Sequence, residues 1–292
     1  MYTLNVLNDS TIAKYEHLTY PIFRSRLQAS GLQQSIVAIG ASSLCQPVGL
    51  AMAEISPDGT IAEVLSIFVT PQHRCAGIGT DLLTRLETEL SLIGCTKAGL
   101  VYITGKPTTP ALERLLQKCN WTPPQPRTLV CKTTIERIMD APWMNRSSLP
   151  SSFTIFPWTD LTEDDRLSIQ KRQAQEPWIP QNLIPFRHEE NLEPLNSVGL
   201  RYKGEVVGWV ITHRLDPGTI RYTCSFVRLD LQKMGRIIPL YVEAIKRQYQ
   251  ANILKGIWTV PFFHTAMINF VKRRMADYME SIEESRGSFK LI

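Results

Sequence analysis

The sequence predicts an α/β fold, with strands and helices combined around a mixed α+β sheet in each of two domains. Its 292 residues are about twice the roughly 150 residues of a typical domain. Strand-like segments alternate with helix-like segments along the chain. In addition, one stretch of the first half, Val48-Gly49 to Ile61, is echoed in the second half by Val207-Gly208 to Ile220. These three observations predict two domains of similar fold.

The N-terminal segments predict a strand, a helix and an antiparallel meander. We expect a strand over 2–6 and a helix that starts at Asp9 or Ser10 and is broken at Pro21. Strand-like segments with turn residues between them then predict three further strands. These cover 35–39, 48–55 and 60–69.

The rest of the first half predicts a crossover. A loop over 70–77 leads into a helix whose apolar residues recur at helical spacing until Gly94. A strand over 99–103 should lie parallel to the strand before that helix, because strand, helix and strand form a right-handed crossover. We expect a helix over 111–119 and a closing strand over 128–133.

The domain boundaries follow from a stretch rich in Pro and Ser. We expect a first domain over 1–140, a linker over 141–152 and a second domain over 153–292. In the second domain, a strand should end at Phe226-Val227, before a helix. A strand over 257–260 and a helix over 264–275 should follow.

Composition excludes several classes of protein. The chain carries 32 Lys and Arg against 27 Asp and Glu, a net charge of +5, which is too weak a positive charge for a nucleic-acid partner. No apolar run reaches the length of a membrane span and the first residues lack a signal peptide, so we expect no membrane partner. The six cysteines form no CxxC pair and no metal-ligand spacing. We therefore expect a reduced, cytoplasmic protein without a metal.

The segment over 63–79 carries the clearest chemical motif, reading Glu-Val-Leu-Ser-Ile-Phe-Val-Thr-Pro-Gln-His-Arg-Cys-Ala-Gly-Ile-Gly. A strand ends in a loop whose glycines open a helix, so unpaired backbone N–H groups and the positive helix end point at one place. Such a place binds phosphate. Gly77 and Gly79 lack a Cβ and permit the close approach of a pyrophosphate.

Two other phosphate-binding motifs fail on spacing. A dinucleotide-binding fingerprint requires a third glycine, but Leu82 stands there, and the strand over 99–103 lacks the acidic ribose partner. A Walker A loop would need a glycine at Leu100 and a Ser or Thr at Pro107. The remaining pattern, Arg-x-x-Gly-x-Gly after Val-x-Pro, resembles the acetyl-CoA motif of the GNAT superfamily of N-acetyltransferases.

The resemblance implies tandem GNAT-like domains and the transfer of an acetyl group from acetyl-CoA to an amine. It also implies that the main chain of Phe68 and Val69 pairs with the pantetheine arm. The pyrophosphate would be held through the backbone amides of Arg74, Cys75, Ala76, Gly77, Ile78, Gly79 and Thr80. Cys75 stands where the family usually has glycine, and it is either a tolerated outward side chain or a reactive thiol.

The resemblance also suggests catalytic residues. Glu63 lies where histone-type members carry a general base, which would be useful because only about one amine in ~10³ is neutral at pH 7. The other interpretation is an exposed strand carboxylate. Leu116 replaces the tyrosine that usually acts as general acid. Tyr102 is a substitute for it, or else a core aromatic.

The second half departs from the motif. Its counterpart of Glu63 is Arg221 or Tyr222, depending on a one-residue choice of register, and the last glycine of the motif becomes Ile237 or Ile238. A branched side chain there should obstruct a pyrophosphate, so we expect a degenerate domain. Gly235 keeps open the alternative of a second, weaker CoA site.

The resemblance leaves the acceptor and the assembly open. The acceptor would be a small-molecule or peptide amine, and its contacts would include aromatic residues of the first helical region, namely Tyr15, Tyr20 and Phe23. The protein would be a monomer or a homodimer. The competing hypothesis is a non-catalytic GNAT-fold sensor or scaffold that binds CoA or a protein, which the loss of the tyrosine at Leu116 and the degenerate second half motivate.

Overall fold

The computed structural model describes residues 1–28, 35–146 and 148–292. Residue 147 of the predicted linker lies outside the described residues. The chain forms two compact units, and the first contains both ends of the chain. Unit 1 comprises Met1–Arg127 and Glu284–Ile292, and unit 2 comprises Thr128–Glu283.

Strands and helices alternate through both units. In chain order, the strands and α-helices are β1 (Thr3–Val6), α1 (Pro21–Gln28), β2 (Ile36–Ser43), β3 (Gln46–Ile55), β4 (Ile61–Val69), α2 (Ile78–Ile93), β5 (Lys97–Ile103), α3 (Thr109–Lys118), β6 (Gln125–Thr134), α4 (Ile135–Met139), α5 (Pro142–Arg146), β7 (Phe153–Pro157), α6 (Glu163–Gln175), β8 (Val198–Tyr202), β9 (Glu205–Asp216), β10 (Thr219–Val227), α7 (Leu229–Gln232), α8 (Ile237–Gln250), β11 (Lys255–Pro261), α9 (Thr265–Phe270) and β12 (Ser281–Leu291). Short 3₁₀ turns include Ile12–Leu18, Pro71–His73, Gln181–Leu183 and Pro185–His188.

The sheet of unit 1 has the order β1-β2-β3-β4-β5-β12. Strands β1 to β4 form the predicted antiparallel meander. Strands β4 and β5 are parallel and α2 lies between them in sequence, as the crossover rule predicts. The C-terminal part of β12 pairs antiparallel with β5, so the last strand of the chain completes this sheet.

Helix α2 forms because its apolar residues recur at helical spacing. Leu82, Leu83, Leu86 and Leu90 are fully buried against one face of the sheet, and burying each leucine contributes about 1.5–3 kcal/mol. The helix ends at Gly94, whose φ of 105° is accessible to glycine at little cost. The 3₁₀ turn and α1 cover the opposite face of the same sheet.

The first helical region differs from the prediction in two details. The segment Ile12–Leu18 is a 3₁₀ turn whose capping position is Thr11, not Asp9 or Ser10. Pro21 does not break a helix but begins α1. Proline suits the first helical position, because its missing N–H would have no partner there in any case.

The compact units are divided differently from the expected domains over 1–140 and 153–292. The expected closing strand exists as β6, but from Thr128 onward it belongs to unit 2, where it pairs with β11. The strand that completes unit 1 comes instead from 284–291. Its sequence is Glu-Ser-Arg-Gly-Ser-Phe-Lys-Leu. Apolar and polar residues alternate too weakly in this segment to predict a strand. Part of the expected linker is helical, as α5.

The sheet of unit 2 has the order β6-β11-β10-β9-β8-β7. Strands β10 and β11 are parallel and α8 lies between them in sequence, which repeats the crossover of unit 1. Helix α8 packs on one face, and a core containing Trp158, Trp209 and Phe226 lies on the other. The predicted helix over 264–275 begins as α9 and continues as a π-helical turn, Val271–Met275.

Among the described residues, no helix has both the length and the apolar character that crossing a membrane requires.

Candidate functional site

Strands β4 and β5 diverge near their carboxyl ends. Their parallel pairing ends at Val64 and Leu100, but β4 continues to Val69 and stays paired with β3 on its other side. Within the described part of the chain, the β5-facing edge of β4 therefore has no strand partner from Leu65 to Val69. We call this opening the β4–β5 gap. It leaves main-chain donors and acceptors available to a ligand.

The loop after β4 presents backbone N–H groups to the end of this gap. A 3₁₀ turn leads to Arg74, and α2 begins at Ile78 after Gly77. In the described residues, the backbone N–H groups of 75–80 have no hydrogen-bond acceptor. These six groups lie at the positive end of a helix of 16 residues, which is the arrangement that binds phosphate.

Left-handed backbone explains the residue types of the loop. Gly77 has a φ of 84° and Cys75 a φ of 63°. A side chain at Gly77 would find open space, with Tyr2 Oη the nearest atom at 3.8 Å, so conformation rather than crowding requires glycine there. A Cβ on Gly79 would make only ordinary contacts with Leu115, at 3.7 Å. Cys75 is a free, exposed thiol.

Side chains around the loop hold it in place. Arg74 Nε donates to the Val69 carbonyl at 3.1 Å, and its guanidinium lies 5.9 Å from the centre of the Phe68 ring. His73 Nδ1 is 2.9 Å from the Thr70 hydroxyl, so the imidazole is held by the loop itself. These contacts fix the chain where β4 turns into the loop.

Glu63 lies on the face of the sheet that carries the 3₁₀ turn and α1. Its strand neighbours Ala62 and Val64 are buried against α2, so Glu63 points to the opposite face. It is exposed, and its cross-strand neighbour on β3 is Glu54. Glu54 is paired with Arg26 of α1 at 2.8 Å. In the described residues, no hydrogen bond or ion pair engages the Glu63 carboxylate, which is therefore free to accept a proton.

Tyr102 lies on the other face, packed against the core beneath α2 and α3. Its hydroxyl donates to Glu113 Oε1 at 2.7 Å, and Arg286 Nη1 donates to the same oxygen at 3.0 Å. Burial, reinforced by the hydrogen bond to Glu113, raises the pKa of Tyr102 well above its usual range. The phenol therefore stays protonated at neutral pH. The structure thus places the two predicted catalytic residues on opposite faces of the sheet.

Glu113 and Arg286 were not anticipated from the sequence. Glu113 lies one helical turn before Leu116 in α3, a spacing that could have indicated a polar group facing the same strand. Arg286 is 184 residues after Tyr102 in the chain, and no local pattern joins the two. Leu116 itself is completely buried, so the position of the usual tyrosine belongs to the core.

The three aromatic residues predicted to contact an acceptor have different environments. Tyr15 is buried at 6% exposure and belongs to the core with the 3₁₀ turn. Tyr20 is 66% exposed, and its ring meets Phe23 edge to face, with 6.2 Å between ring centres. Tyr20 and Phe23 are therefore the two that can meet a ligand on the Glu63 face.

The strand register decides which residue of unit 2 corresponds to Glu63. The parallel pairing of β4 with β5 starts at Ile61, and that of β10 with β11 starts at Thr219. Two residues further along, Arg221 occupies the position of Glu63. Tyr222 faces the α8 side and is buried, like Val64 in unit 1.

The loop of unit 2 uses its own backbone donors. It forms the short helix α7, after which Gly235 N–H donates to the Gln232 carbonyl at 2.9 Å and Ile238 N–H to the Gly235 carbonyl at 3.0 Å. Ile237 and Ile238 replace the last glycine of the motif. Fewer free N–H groups therefore remain at this helix start than at the start of α2.

In 1–28, 35–146 and 148–292, no group of three or more His, Cys, Asp or Glu side chains is placed to hold a metal ion.

The comparisons with known proteins point to one family and one fold. Residues 3–121 match the model of the acetyltransferase (GNAT) family. A tandem GNAT protein from the clavulanic acid biosynthesis pathway has a similar structure, with a TM-score of 0.62 at 12% identity, covering 100% of this chain and 98% of that one. A GCN5-related N-acetyltransferase from Sphaerobacter thermophilus gives a TM-score of 0.63 at 14% identity, covering 99% and 95%. No curated protein matches the sequence.

Proposed function

With residues 3–121 recognised as a GNAT acetyltransferase domain in a chain that has the tandem GNAT fold throughout, we propose that unit 1 is an acetyl-CoA-dependent N-acetyltransferase that acts on a primary amine. The observation that carries this proposal is the row of six free backbone N–H groups over 75–80, beside the open edge of β4. The free N–H groups suit a diphosphate, and the open strand edge suits an extended chain that contains amides.

We assign the donor contacts to the backbone. Phe68 and Val69 would pair through their main chain with the pantetheine amides. The pyrophosphate would be held by the free amides of Cys75, Ala76, Gly77, Ile78, Gly79 and Thr80. The amide of Arg74 would join them on leaving the Pro71 carbonyl, to which it donates at 3.4 Å. The Arg74 side chain bonds the Val69 carbonyl and would have to release it where a pantetheine amide donates to that oxygen. Bound acetyl-CoA supplies the activated acetyl group.

Glu63 is the proposed general base. An amine with a pKa of about 10.4 is mostly protonated at pH 7 and must lose a proton before it attacks the thioester. An exposed carboxylate with no partner in the described residues, on the face that carries α1, is suited to take that proton directly or through water. The neighbouring Glu54 is compensated by Arg26, so the unpaired carboxylate of Glu63 is the negative charge that would favour a cationic acceptor.

Tyr102 is the proposed hydrogen-bond donor to the departing sulfur, and its single O–H would have to leave Glu113 Oε1, to which it donates here at 2.7 Å. Its raised pKa keeps the hydroxyl protonated, but it also makes full transfer of the proton to a thiolate, which has a pKa of about 8.5, unfavourable. A thiolate leaves with less assistance than an alkoxide does. A donor that stabilises the sulfur without losing its proton is therefore sufficient.

The acceptor would be a small-molecule or peptide amine in the cytoplasm. The second candidate function is a CoA sensor or scaffold without catalysis, and complete burial of Leu116 in place of a tyrosine favours it. The two functions share the acetyl-CoA site but differ in whether an amine induces release of CoA.

The test is calorimetric titration of acetyl-CoA into the protein, with a Gly77→Glu variant. We expect one site per chain. The variant should lose this site, because glutamate places a negative charge in the phosphate loop and is strained in the left-handed backbone conformation of this position. Gly59→Glu is a matched control, since Gly59 also has a positive φ, of 74°, and open space around it. Absence of binding to the native protein would overturn the proposal. Binding without turnover on any amine of a broad panel would favour the sensor.

A further inference from the structure

Unit 2 repeats the strand divergence of unit 1 with the opposite charge. The parallel pairing of β10 with β11 ends at Tyr222 and Trp258, while β10 continues to Val227 alongside β9. We call this opening the β10–β11 gap. Arg221 precedes the last pair and occupies the register position of Glu63. Where unit 1 carries a carboxylate able to accept a proton, unit 2 therefore carries a permanent cation.

The Arg221 guanidinium has no partner among the described residues. No carboxylate lies within ion-pair distance of it there, and its Nε is buried without a hydrogen bond. Arg228, Arg201 and Arg214 of the same unit are paired with carboxylates instead. Since a buried donor without an acceptor is destabilising, an external acceptor at this arginine would stabilise it.

The neighbours of Arg221 are basic or neutral. His213 is its cross-strand partner on β9, and the Cβ atoms of such partners are about 4.5–5.5 Å apart. His213 Nε2 is 3.1 Å from the Glu190 carbonyl and Nδ1 is 2.7 Å from the Thr223 hydroxyl. Both ring nitrogens thus have partners that suit a neutral imidazole with Nε2 protonated. Burial and the nearby charge of Arg221 lower the pKa of His213.

The acidic side chains of the adjoining segment do not neutralise this charge. Glu189 is paired with Arg166 at 2.8 Å, and Glu193 with Arg214 at 2.5 Å. Glu190 is exposed, and it is its backbone carbonyl that meets His213. Among the described residues, none of these carboxylates is therefore paired with Arg221.

A polar contact joins the segment over this face to the chain beyond β11. Asn182 lies in a 3₁₀ turn, and its Nδ2 is 2.8 Å from His264 Nε2. His188 Nε2 is 3.0 Å from the Asn182 carbonyl. These hydrogen bonds therefore connect the segment that packs on the Arg221 face with His264, the residue that precedes α9. In the sequence, the diverging strands β10 and β11 lie between this segment and His264.

We propose that the β10–β11 gap of unit 2 is a binding site for a small carboxylate, which Arg221 holds through its guanidinium. The positive charge of Arg221 beside the neutral imidazole of His213 matches a monoanion, and the planar guanidinium matches the two oxygens of a carboxylate. The degenerate phosphate loop of this unit agrees with a ligand other than CoA. This site does not depend on acetyl transfer by unit 1.

The test is ligand-observed NMR titration of the full chain with acetate and with benzoate, and separately with inorganic phosphate. We expect saturable binding of the carboxylates, weakened at least tenfold in Arg221→Met, because a charged hydrogen bond contributes about 1.5–3 kcal/mol. Arg221→Lys keeps the charge but loses the planar donor pair, and it should be intermediate. Arg172→Met is the matched control, an arginine of unit 2 that stacks on Trp178 at 5.1 Å and should leave binding unchanged.

Three results would overturn the proposal. Equal weakening in Arg172→Met and Arg221→Met would indicate non-specific attraction to positive charge. Saturable binding of phosphate with no binding of either carboxylate would assign the site to another anion. No saturable binding of any probe to the native protein would remove the site. Intact binding of acetyl-CoA by each variant, measured in parallel, verifies that unit 1 of the variant protein is folded.

Discussion

Glu54 and Glu63 face each other across β3 and β4, and among the described residues only Glu54 has an arginine partner, Arg26 at 2.8 Å. Like charges directly opposite on neighbouring strands are destabilising, and pairing one of them with an arginine reduces that cost. The other carboxylate remains free at the beginning of the β4–β5 gap. A salt-bridged acid beside an unpaired one suggests different roles, with Glu54 held by α1 and Glu63 available to a substrate.

Replacing Glu63 by Gln should lower kcat by about 100-fold or more, because positioned general bases typically contribute 10²–10⁴-fold. The shape of the side chain is retained, so acetyl-CoA binding should not change. Release of CoA is measured at saturating acetyl-CoA with an amine that the native protein accepts. Glu54→Gln is the matched control and should lower kcat much less than Glu63→Gln does, because the Glu54 carboxylate is already engaged by Arg26. An unchanged kcat in Glu63→Gln would exclude Glu63 as the base.

Replacing Tyr102 by Phe should lower kcat by about tenfold or less, since a hydrogen bond to the sulfur contributes about 0.5–1.5 kcal/mol. The raised pKa of the phenol also predicts that no decline of kcat below pH 10 comes from its ionisation. The measurement is the dependence of kcat on pH for the native protein and the variant. Glu113→Gln, which removes the charge next to the hydroxyl but keeps the hydroxyl itself, is the companion variant. A loss above 100-fold in Tyr102→Phe would mean that the phenol transfers its proton.

Replacing Lys290 by Met should destabilise unit 1 by about 1–3 kcal/mol. Glu87 is buried at 8% exposure and accepts hydrogen bonds from Trp121 at 2.7 Å and from Lys290 at 2.6 Å. Without the lysine, a buried carboxylate keeps only one of these donors. The measurement is the urea midpoint of unfolding.

Lys97→Met is the control for Lys290→Met. Lys97 Nζ lies 4.4 Å from the centre of the Phe289 ring, on the same pair of strands, and its loss should cost about 0.5–1 kcal/mol. Equal effects of the two substitutions would mean that the buried Glu87 does not depend on its lysine.

Replacing Arg201 by Met should destabilise unit 2 at neutral pH but much less in acid. Both Arg201 Nη atoms lie 2.6 Å from the Asp165 carboxylate oxygens, and hydrogen bonds from this guanidinium lower the pKa of Asp165 far below its usual range. A carboxyl whose pKa is lowered by folding stabilises the protein above its unfolded pKa of about 3.9, and this stabilisation is lost as pH falls towards the folded pKa. The difference in unfolding midpoint between native protein and variant should therefore shrink from pH 7 to pH 3. Arg247→Met, which removes a half-buried helical pair with Glu243, should show a small difference at both pH values.

The local elements were largely predictable because their signals are local. The leucine spacing and Gly94 define α2, and the glycines at its start define the phosphate loop. The repeat of a Val-Gly pair followed by a turn that contains Pro and Gly indicates two sheets of one kind. The resemblance of the loop to the GNAT motif then agreed with the family match over 3–121 and with the fold of the whole chain. The helix and the phosphate loop depend on residues within about twenty positions of one another, and each copy of the repeat is itself a short local pattern.

What the sequence determined by itself was the α/β class, the duplication and the place of the phosphate loop. The tertiary structure decided which strand completes each unit, since β6 pairs with a strand more than 120 residues away and the end of β12 with one more than 180 residues away. It also decided that Arg221 stands in the place of Glu63, because strand register depends on a partner strand and a shift of one residue reverses the face. The tertiary structure also decided the contacts among Tyr102, Glu113 and Arg286. They exist only because the last strand of the chain lies beside β5, and no local preference of the sequence encodes that pairing.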